Sequence, residues 1–405
     1  CTRIVTWYAD GPTYAVTAHL RDGTTQARPF SRVDGAVQIS LDRPAEDIDH
    51  LQVQVPSARL RRHTLIDTPG IASLSTDVSL RTMAFLEAEG ERSARTDAVI
   101  YLLRHMHGSD VRFLESFHGD ALAHGTPMNT VGVLSRADEI GGCRLDAMET
   151  AARVAARYAT DDRLRRLCPV VVPVAGLLAA AGATLREHEY QVLARVAAEP
   201  MPDLVELLLT ADRFAASEPA RRAVLDRLGL FGVRLSVSLI RQGRVADSAD
   251  LARSLTEHSG IERLREVFAA QFAGRSEVLK ARSALAVLDE CLPSDSALAA
   301  AAERIRASAH EFVELRLLHL LRSGRLSGTD AQLAEMDLLL GGAGGAAHTR
   351  LGLPADATAA RIAAAAQAAL LRWQAIAEHP FSARDLRTAA RAVARSCEGV
   401  LAAVL

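Results

Sequence analysis

The sequence predicts two kinds of structure in series: an α/β domain on a mixed, mostly parallel sheet, then an all-α helical region. Three observations carry this. Short β-rich stretches separated by turn dipeptides fill the first 70 residues. Strand-like and helix-like segments then alternate as far as residue 176. Beyond about residue 185 the β signals nearly vanish from a chain rich in alanine, leucine and arginine.

Residues 4–8 and 14–20 are β-rich and flank Asp10-Gly11-Pro12, and Asp22-Gly23 follows the second of them. These signals predict antiparallel strands joined by hairpin turns. After a polar segment, Leu51, Val53 and Val55 alternate with glutamines, and Thr64-Leu65-Ile66 runs into Asp67-Thr68-Pro69-Gly70, which predicts a second strand pair. The order then becomes strand 98–103, helix 109–123, strand 130–134, helix 145–158 and strand 170–174. Such alternation requires crossover connections and a parallel sheet, whose ligands bind beyond the carboxyl ends of the strands. An apolar run at 228–240 is ambiguous between strand and helix. Further on, Leu298, Ala302, Ile305, Ala309 and Phe312 recur at steps of four and three, the seam of an antiparallel bundle. A glycine-rich loop at 341–345 precedes two final helices, 356–377 and 382–405, separated by His379-Pro380.

A formal net charge of -2 gives no global basic field, so nucleic acid is not an expected partner. Cys1, Cys143, Cys168, Cys291 and Cys397 form no Cys-x-x-Cys pair, and reduced thiols in a cytoplasmic setting are expected. No stretch approaches the roughly 20 apolar residues that span a bilayer, so any membrane association is peripheral. Lys280 is the sole lysine among 47 basic residues, a coding bias that favours arginine at positions where lysine is usual.

Asp67-Thr68-Pro69-Gly70 is the most informative segment. An aspartate at a strand end can hold Mg²⁺ through water, and a glycine three residues on leaves its N–H free for a γ-phosphate. The same tetrapeptide equally suits a plain turn. Downstream, Ser135-Arg136-Ala137-Asp138 follows the strand 130–134. A carboxylate there accepts paired hydrogen bonds from the N1 and N2 donors of guanine, while the long cation's stem covers the ring. Adenine carries an acceptor at N1 and cannot match. Alone, the tetrapeptide also reads as a surface helix start. Val172-Pro173-Val174-Ala175-Gly176 stands where a supporting backbone contact to the base is expected, though apolar strands ending in Ala-Gly are common.

In order and position these elements resemble the bacterial dynamin-like GTPases, with Ser135-Arg136-Ala137-Asp138 similar to the Thr/Asn-Lys-x-Asp signature. Thr2-Arg3 ahead of a strand resembles the switch I threonine of that family. The wording is closest to the actinobacterial isoniazid-induced type: residues 1–8, 65–75, 104–107, 134–141, 228–233 and 259–264. The resemblance implies a P-loop GTPase-like head over 1–200, a helical extension and hinge over 201–275, and a helical stalk over 276–405 with a membrane-proximal tip near 338–353. It implies GTP and GDP as ligands with Mg²⁺, self-assembly into a dimer or larger array, in some cases with a paralogue, and peripheral binding to lipid at the inner face of the cell membrane. By the same resemblance Asp67 and Thr2 serve Mg²⁺, Thr2 and Gly70 serve hydrolysis, and Thr68, Pro69, Ser135, Arg136, Asp138, Ala175 and Gly176 line the nucleotide.

One element of the family is lacking: no Gly-x4-Gly-Lys-Ser/Thr phosphate loop occurs, and Lys280 falls on a predicted helix. In the family that loop precedes the switch I threonine. The sequence opens on Cys1 directly ahead of a strand, so the loop is expected upstream, and the chain as it stands is expected to bind GTP poorly. A non-enzymatic scaffold with a degenerate GTPase fold is the competing expectation. His105, His107, His118 and His124 suggest a metal, but alternate residues at a strand end project to opposite faces. Leu338-Leu339-Leu340 reads either as a lipid-dipping tip or as the end of a buried helix.

Overall fold

The computed structural model of the chain describes residues 4–33, 36–61, 63–69, 98–104, 130–161, 168, 170–216, 218–272, 275–293, 295–322 and 324–404. Thr2, Gly70, the four histidines at 105–124 and the helix expected over 109–123 lie outside the described residues. The chain forms two compact units, Cys1–Arg92 and Ser93–Leu405.

The first unit carries β1 (Val5–Asp10), β2 (Ala15–Leu20), β3 (Thr25–Ala27), β4 (Phe30–Val33), β5 (Ala36–Ile39), β6 (Ile48–Val55) and β7 (Leu65–Asp67). Five of them form a sheet in the order β3-β2-β6-β1-β7, and β4 pairs with β5 alone. The expected hairpin between β1 and β2 does not form. Instead β6 lies between them, parallel to β1 and antiparallel to β2. The Asp10-Gly11 turn is spent on β6: Gly11 N–H donates to the Val55 carbonyl at 3.3 Å, and the Asp10 carboxylate accepts the Ser57 N–H at 2.9 Å. A Cβ on Gly11 would meet Gln54 at 2.8 Å, so the turn hugs β6 and cannot fold β2 back onto β1. The second expected pair also fails, since β7 pairs with β1 at the edge of the sheet and not with β6. The alternation that marks β6 buries Leu51 and Val53, and Leu51 joins Ile48, Ile4, Ala18 and Leu20 in a small core.

The second unit opens with a parallel sheet, as expected: β10 (Val171–Val174), β9 (Thr130–Ser135) and β8 (Val99–Leu103), with β9 central. Buried on both faces, β9 reads as a continuous apolar run rather than an alternation. The helices that follow are α1 (Ala147–Thr160), α2 (Gly176–Thr184), α3 (Glu187–Ala197), α4 (Met201–Leu207), α5 (Ala211–Ala215), α6 (Pro219–Arg241), α7 (Ser248–His258) and α8 (Ile261–Gln271). The ambiguous run 228–240 lies in α6. One core joins α2 to α7 through Leu178, Leu193, Phe214, Leu228, Phe231, Leu251 and Leu255. A smaller core sets Val131, Val133, Val172 and Val174 of the sheet against Val267 and Phe272.

Between α7 and α8, Ser259-Gly260 braces the sheet. The Ala175 N–H donates to the Ser259 carbonyl at 2.9 Å, and Gly260 takes φ +78° with a would-be Cβ only 2.2 Å from the Pro173 carbonyl. Gly260→Ala therefore meets both a left-handed backbone and a rigid main-chain oxygen. It is expected to cost more than about 3 kcal/mol in a urea melt, where Gly243→Ala, left-handed with nothing within 4 Å, serves as the strain-only control.

The remaining helices are α9 (Ser276–Cys291), α10 (Ala297–Ser308), α11 (His310–Arg322), α12 (Asp330–Leu339), α13 (Ala347–Arg350), α14 (Ala359–Glu378) and α15 (Arg384–Val404). Trp373, Leu318, Met336, Leu340, Ala389 and Val393 form their common core, with α14 packed along α15. The expected bundle seam is interrupted. Ala302 and Phe312 are buried, but Leu298 and Ile305 are 67% and 52% exposed. The cause is Ala309, extended at φ −65°, ψ 124°, which ends α10 and sends Phe312 onward in a new helix. Leu339 and Leu340 are buried, and Arg275 donates to the carbonyls of Leu340 and Gly341, capping the end of α12.

Candidate functional site

Two of the expected motifs come together at the carboxyl ends of neighbouring strands. Val174 of β10 pairs with Ser135 of β9, so Ala175-Gly176 and Ser135–Asp138 leave the parallel sheet side by side. The Ser135 hydroxyl donates to the Leu103 carbonyl at 3.0 Å, tying β9 to β8. Arg136 then adopts a left-handed conformation (φ 52°, ψ 40°), and the chain turns into a short 3₁₀ segment, Ala137–Glu139. Ala175 is fully buried, whereas a side chain at Gly176 would meet nothing within 4 Å, so the start of α2 faces open space.

The turn points Arg136 outward and Asp138 inward. Arg136 bonds Glu139 at 3.1 Å, and Glu139 also accepts from Arg104 at 2.8 Å, so the exposed edge of the site is an Arg-Glu-Arg chain. Asp138 is only 5% exposed. Burial pushes its carboxyl up from the usual range, with Glu139 adding to the effect and Arg136 opposing it. Among the described residues no other side chain donates to it. Its own backbone N–H bonds the carboxylate, and with no side-chain donor the remaining acceptor capacity suits two adjacent N–H donors.

The cover over Asp138 was not legible beforehand. Helix α6 is broken at Gly229 (φ 68°, ψ 170°), and a Cβ built there lies 3.7 Å from Asp138 Oδ2 and 3.5 Å from Leu177 Cδ1. The second half of α6 is strapped to the loop after Asp138. The Arg234 guanidinium donates to the carbonyls of Gly142 and Cys143 at 3.0 and 2.8 Å and to those of Leu208 and Leu209, and the Phe231 N–H bonds the Cys143 thiol. A glycine inside a helical pattern was the available signal.

Asp67, Thr68 and Pro69 belong to the first unit. Asp67 is exposed at the end of β7, opposite Thr6, and burial, with the Asp67 charge adding to it, raises the Tyr8 phenol. Thr68 is half-buried and Pro69 buried. A single exposed carboxylate suits Mg²⁺, which keeps most of its waters and takes further oxygens from phosphate. No cluster of three or more metal-ligating side chains occurs among the described residues.

No protein-family model matches the chain. It is 39% identical over 416 aligned residues, 99% of this chain and 83% of the relative, to the isoniazid-induced protein IniC of Mycobacterium tuberculosis strain H37Rv, and equally to that of strain CDC 1551. Among solved structures, a chain of an oligomerised bacterial dynamin pair, described as a mechanism for long-range sensing and tethering of membranes, aligns at 8% identity with a TM-score of 0.25. That alignment covers 100% of this chain and 80% of the other, and at such a score the likeness carries no argument.

Proposed function

The chain belongs to the family of the mycobacterial isoniazid-induced protein IniC, and on that premise we propose that it is a dynamin-like GTPase, which couples GTP binding and hydrolysis to self-assembly and to remodelling of a membrane. The observation that carries the reading is Asp138, a buried carboxylate without a side-chain donor just past the end of β9, in the motif Ser135-Arg136-Ala137-Asp138. In this reading Asp138 reads the N1 and N2 donors of guanine, the Arg136 stem covers the ring, and Ala175-Gly176 supports it from the neighbouring strand end. Asp67 holds Mg²⁺ through water, Thr2 positions the attacking water, and Gly70 meets the γ-phosphate. Mg²⁺, when bound, neutralises charge on the phosphates.

The enzyme reading requires a phosphate loop, which these 405 residues do not contain. The absence of a Gly-x4-Gly-Lys-Ser/Thr from the sequence also favours a second reading, an inactive GTPase-fold scaffold that assembles at membranes. Recovery of the upstream sequence and GTP turnover of the complete protein, with and without anionic vesicles, separate the two. The enzyme reading expects a phosphate loop and vesicle-stimulated turnover; the scaffold reading expects neither.

The lipid contact is assigned to the turn between α14 and α15. No helix among the described residues is long and apolar enough to cross a membrane. Phe381, however, is 92% exposed on that turn, with Arg384 and Arg387 entering α15 just behind it. An aromatic ring ahead of two cations suits the interface of an anionic bilayer. Phe381→Asp is expected to lower binding to phosphatidylglycerol vesicles in a flotation assay by about tenfold without changing thermal stability.

A further inference from the structure

We infer that Gly229, at the break in α6, determines nucleotide affinity and base specificity: its bare backbone forms the floor of the approach to Asp138, and the Leu177 side chain is a displaceable cover over that approach. The inference rests on the proposal that Asp138 reads a guanine base, and it adds residues from α6 and α2 to that site. Two features of α6 support it. At φ 68°, ψ 170° the backbone of Gly229 occupies a region essentially closed to every other residue, and strain of this kind concentrates at ligand clamps and functional sites. The break also falls against an ionisable group that is nineteen-twentieths buried and has no side-chain partner, so the helix is interrupted where a ligand with two N–H donors is wanted.

The distances define what the glycine leaves open. A methyl group at 229 would sit 3.7 Å from Asp138 Oδ2, in the space that a donor must cross to bond the carboxylate at about 2.9 Å. The same methyl would be 3.5 Å from Leu177 Cδ1. Leu177 is 47% exposed at the start of α2, next to the open space at Gly176, so its side chain can swing outward and give way to the flat edge of a purine. The floor itself is held fixed by Arg234 and by the Phe231 bond to Cys143. A glycine floor under an exposed leucine leaves room for a planar ring, and Gly229 acts on specificity by letting the edge of that ring reach Asp138. Base identity then comes from Asp138.

The test is the ratio of GTP to ITP affinity, measured by isothermal titration on the complete protein. ITP lacks the 2-amino group, so the ratio reports the contact between the base edge and Asp138. Wild-type protein is expected to favour GTP by about tenfold or more, the loss of one hydrogen bond to a buried charge. In Gly229→Ala, checked for folding by circular dichroism, the ratio is expected to fall to within about twofold of unity because the methyl keeps the base edge off the carboxylate. Equal weakening of both nucleotides with the ratio unchanged would show that Gly229 acts only through the backbone, and would overturn the inference. Leu177→Ala keeps a falsifiable arm if Gly229→Ala does not fold. Removal of the cover is expected to raise the GTP association rate by about threefold or more at an unchanged ratio, and an unchanged or slower rate overturns it. Wild-type protein that does not distinguish GTP from ITP fails differently, because it removes the guanine reading of Asp138 on which the inference stands.

Discussion

Asp138→Asn in the complete protein is expected to weaken GTP binding by about a hundredfold or more and to admit xanthosine triphosphate in its place. Guanine presents two donors, N1–H and the 2-amino group, to one carboxylate. Asparagine offers one acceptor and one donor, which match the N1–H and C2 carbonyl of xanthine instead. Competition titrations with GTP and XTP measure both halves of the exchange. Loss of GTP without gain of XTP would mean that Asp138 supports the fold and does not read the base. The same substitution has a second signature in the empty protein. The folded-state carboxyl is raised above its ordinary value of 3.8, so the folded chain keeps a proton that the unfolded chain has released. Stability contributed by Asp138 is therefore present below that value and is lost as pH rises through the folded-state value. Asp138→Asn removes this loss, so its melting temperature relative to wild type should climb as pH rises from 3.8 through the folded-state value.

Glu314→Ala is expected to destabilise the helical region by about 3–5 kcal/mol, the largest stability effect we anticipate for a single charged residue here. Glu314 is 8% exposed and takes both arms of the Arg350 guanidinium, at 2.6 and 3.0 Å, while accepting from the Ser396 hydroxyl at 2.7 Å. Ser396 in turn lies 2.9 Å from His310 Nε2. Truncation of Glu314 leaves the largely buried Arg350 uncompensated beside the end of α12, whose Leu339 carbonyl it also caps. The double variant Glu314→Leu, Arg350→Met should be less destabilised than Glu314→Ala alone, since no buried charge is then left single. Urea melts of the three proteins decide it, and a double variant as unstable as the sum of its parts would contradict the account. Burial also depresses the His310 imidazole below its usual 6.5, against the attraction of Glu314 and with Arg395 and Arg350 opposing protonation. Below that pH the unfolded chain takes up a proton that the folded chain refuses, so stability should fall as pH drops from 6.5 toward the folded-state value.

The parallel sheet of the second unit was legible because an apolar run such as Thr130–Ser135 followed by a polar turn has few other uses in a chain that alternates strand and helix. In the first unit the Asp22-Gly23 hairpin that joins β2 to β3 was legible as well, but the partners of β1 and β7 were not. Asp10-Gly11 carries a hairpin signal in its residue types, yet the partner of a turn carboxylate is set by tertiary contact, here with Ser57 at the end of β6. The spacing of Leu298, Ile305 and Phe312 was read correctly as helical, but nothing local in Ala309 announced that the helix stops there. At the site, Ser135–Asp138 and Ala175-Gly176 could be placed from the sequence because strand ends position them. The cover at Gly229 could not, because its meaning depends on Asp138, far earlier in the chain.

The most direct test of the central claim is an experimental structure of the complete protein with a GTP analogue and Mg²⁺. The account predicts the guanine edge on the Asp138 carboxylate, beside Ala175-Gly176, with Thr2, Asp67 and Gly70 gathered at the metal and the γ-phosphate. A base bound elsewhere, with Asp138 still sealed beneath Gly229 and Leu177, would contradict it.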